Sequence, residues 1–582
     1  MMKNVFFDKI EMRYKSVLKL CVFLSVFCIG ACLHAQYFIR YNHLGYEPES
    51  PKKIIVLSEV DLSQEKWILS TAKGVIKTQQ INPSISNTGI HTPFKFNYLI
   101  DISKTKAIDD YTLTLKDSSI HFRIDTNLYS FIPSEILRYF RVQRSGTEAC
   151  LDHKIAHKGD KKCLVFRRQN NQNNQWAATD ELPKYVNMSG GWYDAGDYLK
   201  FTLTTAYSTY LMLLAYEQNP ALFQYKKYSG TEFNDLLDES SWGLDYLLKT
   251  YADSTEFILQ VGGSKDHQQG NRLPEFDALN KQREAYSGFS ATQMAYTAAA
   301  LALGAKLFKT IDSSKAKVYK QQAIAIYNKA RTLTTCFWVK QGWEEFYADK
   351  TPYDNLLLAA TELYALTKSS TYKEDMYIFK DAAKQSYWSS WGNCNLLAHS
   401  RAGISFYDKK ELENFDVISK ETGNIWGLAH KYTWGSLYSF YSEANGVLYR
   451  EVNKKDSSFS AHYWSTLDYS LGTNNWGKSF VCSKNIKDCA CNTYSQIYIL
   501  QPHLTPIGAV SEGPGDRSTH EQLKKYFKIP ENYPLEKFNS TGAVFYDLNT
   551  NFQTMETTIV GLAEALLFYS LLDKRLRTLK SN

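Results

Sequence analysis

The chain has 582 residues, 44% of them hydrophobic and 22% charged, which is material for a large core and for two or more domains. The formal net charge of +7 is small for this length and forms no long basic run, which argues against nucleic-acid binding. Aromatic residues make up 14%, with 41 Tyr and 12 Trp, a surplus that suits sugar-stacking platforms or large helical cores.

Residues 1–35 read as an export signal. Arg13, Lys15 and Lys19 precede the apolar run from Leu20 to Ala31, which is too short to span a bilayer. A start at Met12 would make the basic region more compact. Cleavage after Ala35 would leave Gln36 first. Alternatively, Ile29-Gly30-Ala31-Cys32 resembles a bacterial lipobox, which would make Cys32 a lipid anchor in the outer membrane. Secretion is the first expectation and a lipoprotein the second. Both place the protein outside a bacterial cytoplasm, as a periplasmic, secreted or cell-surface monomer. No later stretch reads as a membrane span. Seven of the ten cysteines lie beyond the signal, and in an oxidising compartment an odd number leaves at least one unpaired. Cys482, Cys489 and Cys491 read as a disulfide-stapled loop with one spare thiol.

From residue 36 to about 130 the pattern is that of a β-sandwich. The runs Ile54–Leu57, Trp67–Leu69, Phe94–Ile100, Tyr111–Leu115 and Ile120–Ile124 are β-prone and separated by turn residues. Residues 131–582 change to helical periodicity. Met294, Ala298, Leu301, Ala305 and Phe308 form one stripe, and Val318–Ala330, Asp354–Thr367 and Thr558–Leu572 read as further helices. Periodicity alone gives a large all-α domain with long loops rich in Trp, Gly, Tyr and Asn.

Within it stands Ser189-Gly190-Gly191-Trp192-Tyr193-Asp194-Ala195-Gly196-Asp197-Tyr198-Leu199-Lys200-Phe201. Its glycines allow a sharp loop, and the helical run from Phe201 to Ala221 follows. The expectation is a loop that delivers two carboxylates to a helix N-terminus, whose dipole would keep either one ionised. An ionised carboxylate suits a general base.

The string G-G-W-Y-D-A-G-D-x-x-K-F resembles the signature of glycoside hydrolase family 9, the inverting endoglucanase-type cellulases. That resemblance implies an (α/α)6 barrel with Asp197 as base and Asp194 holding the attacking water. Near the C-terminus, Phe545-Tyr546-Asp547 followed by Phe552 and Glu556 resembles the family's second signature. It implies that Glu556 is the acid and Asp547 a companion aspartate; Met555 stands where the family has Asn. Trp242–Lys249, Tyr353–Tyr364 and Asp468–Val481 resemble scaffold segments. The opening Ile39–Pro48 with Pro51-Lys52-Lys53 resembles the immunoglobulin-like module that precedes the catalytic domain in one branch, implying a bracing role. A third family motif, P-H-H-R, survives only as Pro502 and His503. Its Arg is absent, although Arg517 stands nearby, and Tyr198 replaces a frequent His. Trp192, Tyr193, His503 and Asp547 are the candidate sugar contacts.

The chemistry implied requires no cofactor. Structural zinc or calcium remains open: Cys150, His153, His157 and Cys163 supply a two-thiolate, two-imidazole set, with a Cys150–Cys163 disulfide as the alternative. Some relatives with the immunoglobulin-like module hold zinc near this point, but the spacing here differs. The expected activity is hydrolysis of a β-1,4-linked glucan, plain, mixed-linkage or decorated. Its rivals are an exo-acting glucosidase or glucosaminidase on the same fold, and a glycan-binding protein without catalysis.

Overall fold

The computed structural model describes residues 37–581 except 169–175, 179–182, 342–343 and 385–387. The signal readings, including Cys32 and cleavage after Ala35, lie outside the described residues.

Two antiparallel sheets form the N-terminal sandwich. One contains β1 (Tyr37–Arg40), β2 (Lys53–Ser58) and β5 (Phe96–Asp101), in the order β1-β2-β5. The other contains β3 (Lys66–Thr71), β4 (Gly74–Gln80), β6 (Asp109–Leu115) and β7 (Ser118–Ile124), in the order β4-β3-β6-β7. Ile54, Val56, Trp67, Leu69, Tyr98, Leu113 and Ile124 share its core. β2 is apolar throughout because both of its faces are covered: Ile55 and Leu57 point the other way, into the core of the helical domain. β4 carried no strand signal. It is an exposed edge with no buried side, where Val75 and Ile76 face solvent.

The sandwich is hydrogen-bonded to the domain behind it. The His43 amide donates to the Leu471 carbonyl (2.9 Å), Asn42 Nδ2 to Asp468 Oδ1 (3.0 Å) and the Trp426 indole to the His91 carbonyl (3.0 Å). Phe38 packs edge-on against Phe538, with ring centroids 4.8 Å apart.

Among the described residues, twelve principal helices alternate between an outer and an inner ring. The outer members are α1 (Ile132–Val142), α3 (Asp235–Thr250), α5 (Ser313–Ala330), α7 (Ser370–Lys380), α9 (Ser405–Ser419) and α11 (Ser460–Ser470). The inner members are α2 (Thr202–Gln218), α4 (Ala291–Phe308), α6 (Tyr353–Thr367), α8 (Asn395–Ala402), α10 (Ser436–Lys454) and α12 (Ile559–Ser581). Each inner helix packs on the next, and α12 packs back on α2, closing an (α/α)6 barrel. The sequence follows this division. α5 buries one stripe containing Ala316, Tyr319, Ala323, Ile326 and Ala330. In α4 every residue from Ala291 to Ala305 is buried. The stripe read from its sequence is therefore one face of a helix surrounded on all sides.

The Gly-rich loop runs into the short strand Lys200–Phe201, edge of a mixed sheet that also contains Ile258–Val261, Glu284–Ser287 and Cys163–Arg168. A buried charge network lies beneath it. Asp160 accepts from Arg283 Nη2 (2.6 Å) and Lys200 Nζ (2.6 Å). Lys200 also donates to the carbonyls of Met188 (2.7 Å) and Gly190 (2.9 Å), and Arg283 to that of Tyr198 (2.5 Å). The two cations pull the Asp160 carboxyl below its ordinary range although burial alone would raise it.

Removing one member of a buried network leaves the others uncompensated. Asp160→Ala is expected to lower the unfolding free energy by about 3–5 kcal/mol, measured by denaturant titration. A loss under about 1 kcal/mol, the scale of an exposed pair, would mean that the network does not hold the loop.

Candidate active site

The loop brings Asp194 and Asp197 to the same cavity in different settings. The Asp194 backbone is fixed at both ends: its amide donates to the Leu199 carbonyl (2.9 Å) and its carbonyl accepts from the Ile559 amide (2.8 Å). Its buried carboxylate accepts from the hydroxyls of Thr204, on α2, and Tyr347. Burial pushes its pKa up to about 7 against those two hydrogen bonds, and the nearby Asp197 raises it further. Asp197 contacts His267 Nε2 through Oδ2 and accepts from the Leu199 amide (3.2 Å) through Oδ1. Burial favours its neutral form, but His267, the amide and Arg272 outweigh it and hold the carboxyl below its ordinary value.

This corrects the helix-dipole expectation. α2 begins at Thr202, beyond the strand Lys200–Phe201, and Phe201 caps it without a side-chain bond. Neither aspartate lies in its first turn. His267, not a helix terminus, supports the charge on Asp197, and Asp194 is not held ionised.

Glu556 follows the short helix Phe552–Met555, capped by the Asn551 side chain on the Thr554 amide. Its backbone is extended and bridges to Tyr494, and its carbonyl accepts from the Glu512 amide (3.0 Å). Its Oε1 accepts from the Gly196 amide (3.0 Å), one residue before Asp197. A Cβ on Gly196 would lie 2.4 Å from the Tyr494 carbonyl oxygen, so only glycine lets the loop approach this closely. Burial first, then the negative charge of Asp197, pushes Glu556 up to about 8. One carboxyl is thus held ionised and another protonated across one site.

Both open on a cavity of about 550 Å³ lined by aromatic side chains, among them Phe346, Tyr347, Trp388, Trp391, Trp434 and Tyr438. Tyr347 and Trp391 pack edge to face at 5.0 Å, and Trp434 stacks on Phe552 at 5.6 Å while remaining 44% exposed. Such half-open rings suit the apolar faces of pyranose units. The sequence reading missed all six, along with His267, Thr204 and Glu512. The run Tyr387-Trp388-Ser389-Ser390-Trp391-Gly392 carried the strongest unused signal.

The other named residues lie elsewhere. Trp192 is fully buried, its indole donating to Glu239 Oε1 (2.7 Å), and Tyr193 is fully buried with its hydroxyl on His157 Nδ1 (2.7 Å). The sharp loop turns both rings into the protein, away from the cavity, so the structure does not place them as sugar contacts. His503 is exposed on a surface turn and is absent from the cavity lining. Asp547 accepts from Asn492 Nδ2 (3.0 Å) and the Asn492 amide (3.2 Å), which ties it to the loop before Tyr494. Arg517 donates to the Ser540 carbonyl (2.6 Å) and faces Glu521, outside the cavity.

The zinc set does not assemble. Cys150 Sγ contacts the His153 carbonyl, His153 uses both ring nitrogens on the carbonyls of Lys154 and Val142, His157 bridges Tyr193 and Asp277, and Cys163 contacts Asp160. Cys150 and Cys163 are also unpaired, so the alternative disulfide is not formed. Each imidazole is committed to main chain, tyrosine or carboxylate partners, so the four do not fit a zinc ion. Cys482 and Cys491 form a disulfide, with Cys489 as the spare thiol.

A closed helical barrel with unlike carboxyls at the foot of an aromatic cavity defines a glycoside hydrolase. The glycosyl hydrolase family 9 model matches residues 129–568, and the chain belongs to that family. It is 24% identical over 498 residues to endoglucanase C of Cellulomonas fimi, covering 76% of this chain and 44% of that protein. It is 25% identical over 501 residues to the xyloglucan-specific endo-beta-1,4-glucanase of Bacteroides ovatus, covering 77% and 81%. The fold is that of a solved metagenome-derived family 9 endoglucanase, with a TM-score of 0.75, 19% identity, and coverage of 92% of this chain and 99% of the other. The chain spans half or less of the length of several curated endoglucanases it matches.

Two pH predictions follow from these settings. His267→Ala removes a group that lowers the Asp197 pKa, so the acidic limb of kcat/KM should move to higher pH; an unmoved limb would deny His267 this role. Glu556 is raised from 4.5 to about 8 on folding. The folded protein therefore binds the extra proton and loses stability relative to Glu556→Gln as pH rises from about 4.5 to about 8. Denaturation at pH 5 and pH 8 should show the variant gaining on wild type at the higher pH.

Proposed function

We propose that this chain is an inverting glycoside hydrolase that cleaves β-1,4-linked glucan chains outside the cytoplasm. The observation that carries the reading is the opposite displacement of two carboxyls in one cavity: Asp197 held ionised by His267, and Glu556 held protonated by burial. Asp197 takes the proton of the attacking water. Asp194, near its own titration point and oriented by Thr204 and Tyr347, holds that water by hydrogen bonding. Glu556 delivers its proton to the oxygen of the departing sugar. Attack and protonation come from opposite sides of the anomeric carbon, so its configuration inverts. The aromatic lining supports stacking of successive sugars.

The glucan assignment is supported by the relatives cited above, which are named as endoglucanases, one of them xyloglucan-specific. Export is supported by the Cys482–Cys491 disulfide, a bond of oxidising compartments. Among the described residues no helix is long and apolar enough to cross a membrane.

The test is reducing-end release from soluble β-glucans and xyloglucan by wild type, Asp197→Asn and Glu556→Gln, with the product anomer followed by NMR. Each variant should lose about 10²–10⁴-fold in kcat, the scale of a general acid or base, and the first-formed product should be the α-anomer. Full activity in Glu556→Gln, or a retained β-anomer, would overturn the mechanism. A product series of monosaccharide alone would replace endo cleavage by exo cleavage.

A further inference from the structure

The mechanism uses three carboxyls, but the cavity contains a fourth buried one. Glu512 lines it and is only 2% exposed. Its main chain is fully engaged, the amide on the Glu556 carbonyl (3.0 Å) and the carbonyl accepting from the Leu437 amide (3.1 Å). Its side chain is not: Oε2 is buried and has no hydrogen-bond partner. A buried polar atom left unpaired costs about 1–3 kcal/mol, and this one belongs to a side chain that lines the cavity.

The adjoining backbone is shaped around it. Gly435, also in the lining, has φ +66°, and a Cβ there would stand 2.5 Å from Glu512 Oε2. A side chain at 435 would be strained and would strike the carboxyl. Trp434, the half-exposed ring that stacks on Phe552, immediately precedes it. The free carboxyl oxygen, the space kept by glycine and an aromatic platform therefore adjoin one another, next to Glu556.

We propose that Glu512 contacts substrate and sets specificity, its carboxyl hydrogen-bonding a hydroxyl of the neutral sugar bound beside Glu556. This rests on the reading of the cavity as a glycan site. Burial, with Glu556 and Asp194 adding to it, holds the group well above the usual carboxylate range. It meets the sugar as a neutral acid, able to donate and to accept.

The experiment compares wild type, Glu512→Gln and Glu512→Ala on cello-, xylogluco- and glucosamine oligosaccharides. It measures kcat and KM, the Kd of cellohexaose by calorimetry, and thermal unfolding. Glutamine keeps a donor and the shape, so its kcat/KM and Kd should stay within about threefold of wild type. Alanine should lose about tenfold in kcat/KM and in affinity, the worth of one hydrogen bond, with Tm unchanged or raised. A merely structural role would lower Tm and leave Kd alone. Overturning results are an alanine variant with wild-type affinity and kcat/KM, a glutamine variant as impaired as alanine, or a wild-type preference for glucosamine chains that alanine abolishes. If wild type neither binds nor cleaves any of these chains, the functional reading falls and this inference with it. If wild type is active and the alanine variant matches it in Kd and kcat/KM, only this inference falls.

Discussion

Asp160 is the residue on which the site depends. Its carboxylate holds Arg283 and Lys200, which in turn grip the carbonyls of Tyr198, Met188 and Gly190, so both ends of the Gly-rich loop are tied to one buried charge. The network continues outward. Arg283 faces Asp266 (3.5 Å), Asp266 pairs with Arg272 (2.5 Å), and Arg272 reaches Asp277 (2.8 Å), which accepts from His157. Asp266 immediately precedes His267 on a short helix. One set of ion pairs thereby places the loop carrying Asp197 and the histidine that faces it. A network of this kind is costly to desolvate and gains little over apolar packing in stability. What it supplies here is position. It occupies the region in which a two-Cys, two-His zinc set was sought, and it immobilises the same backbone by charge instead of coordination.

The proposed division of labour follows from shared burial and one cation-capable neighbour. All three carboxyls are taken out of water, which favours their neutral forms. His267 reverses that for Asp197 alone. Once Asp197 is charged, its field acts on the others and adds to the burial that keeps Glu556 protonated. The proposed acid is thus prepared partly by the proposed base. The Gly196 amide that donates to Glu556 opposes this in sign, but it fixes where the proton sits relative to Asp197. Removing water from the cavity strengthens each of these interactions, and the aromatic walls supply that dryness.

Sequence made some of this legible and not the rest, for physical reasons. Inner helices such as α4 announced themselves by composition, since a helix buried on every side has no polar face to disguise it. The strands of the sandwich were visible wherever one face alternated or both were apolar. The exposed edge β4, with no buried side, was not. Asp194, Asp197 and Glu556 could be named because they sit in strings dense with glycine and aromatics. Their partners could not: His267 stands 70 positions from Asp197 and Tyr347 stands 153 positions from Asp194, and each meets its carboxylate only through the fold. Trp192 and Tyr193 were misplaced for a related reason. Adjacency to a catalytic aspartate in sequence says nothing about which way a ring points when the loop turns sharply, and the turn here sends both rings inward.

The cavity's charge argues for how it holds a sugar chain. The family's usual His and Arg ligands are missing from it: His503 is on the surface and Arg517 is committed to Ser540 and Glu521. Among the described residues that line the cavity His267 is the sole basic group, and it is taken by Asp197. No free cation remains to grip a sugar hydroxyl. Apolar contact would then carry most of the binding, at roughly 25 cal/mol per Å² of buried ring and sugar face, spread over Trp388, Trp391, Trp434 and Tyr438. Affinity distributed over several stacked rings rewards an extended chain over a single sugar, because each further residue adds its own contact area. It also tolerates substituents on the edges of the sugars better than a site built from hydrogen bonds to those edges. The altered third motif and the aromatic lining fit the same proposal, in which flat surfaces take the place of charged ligands in holding the chain.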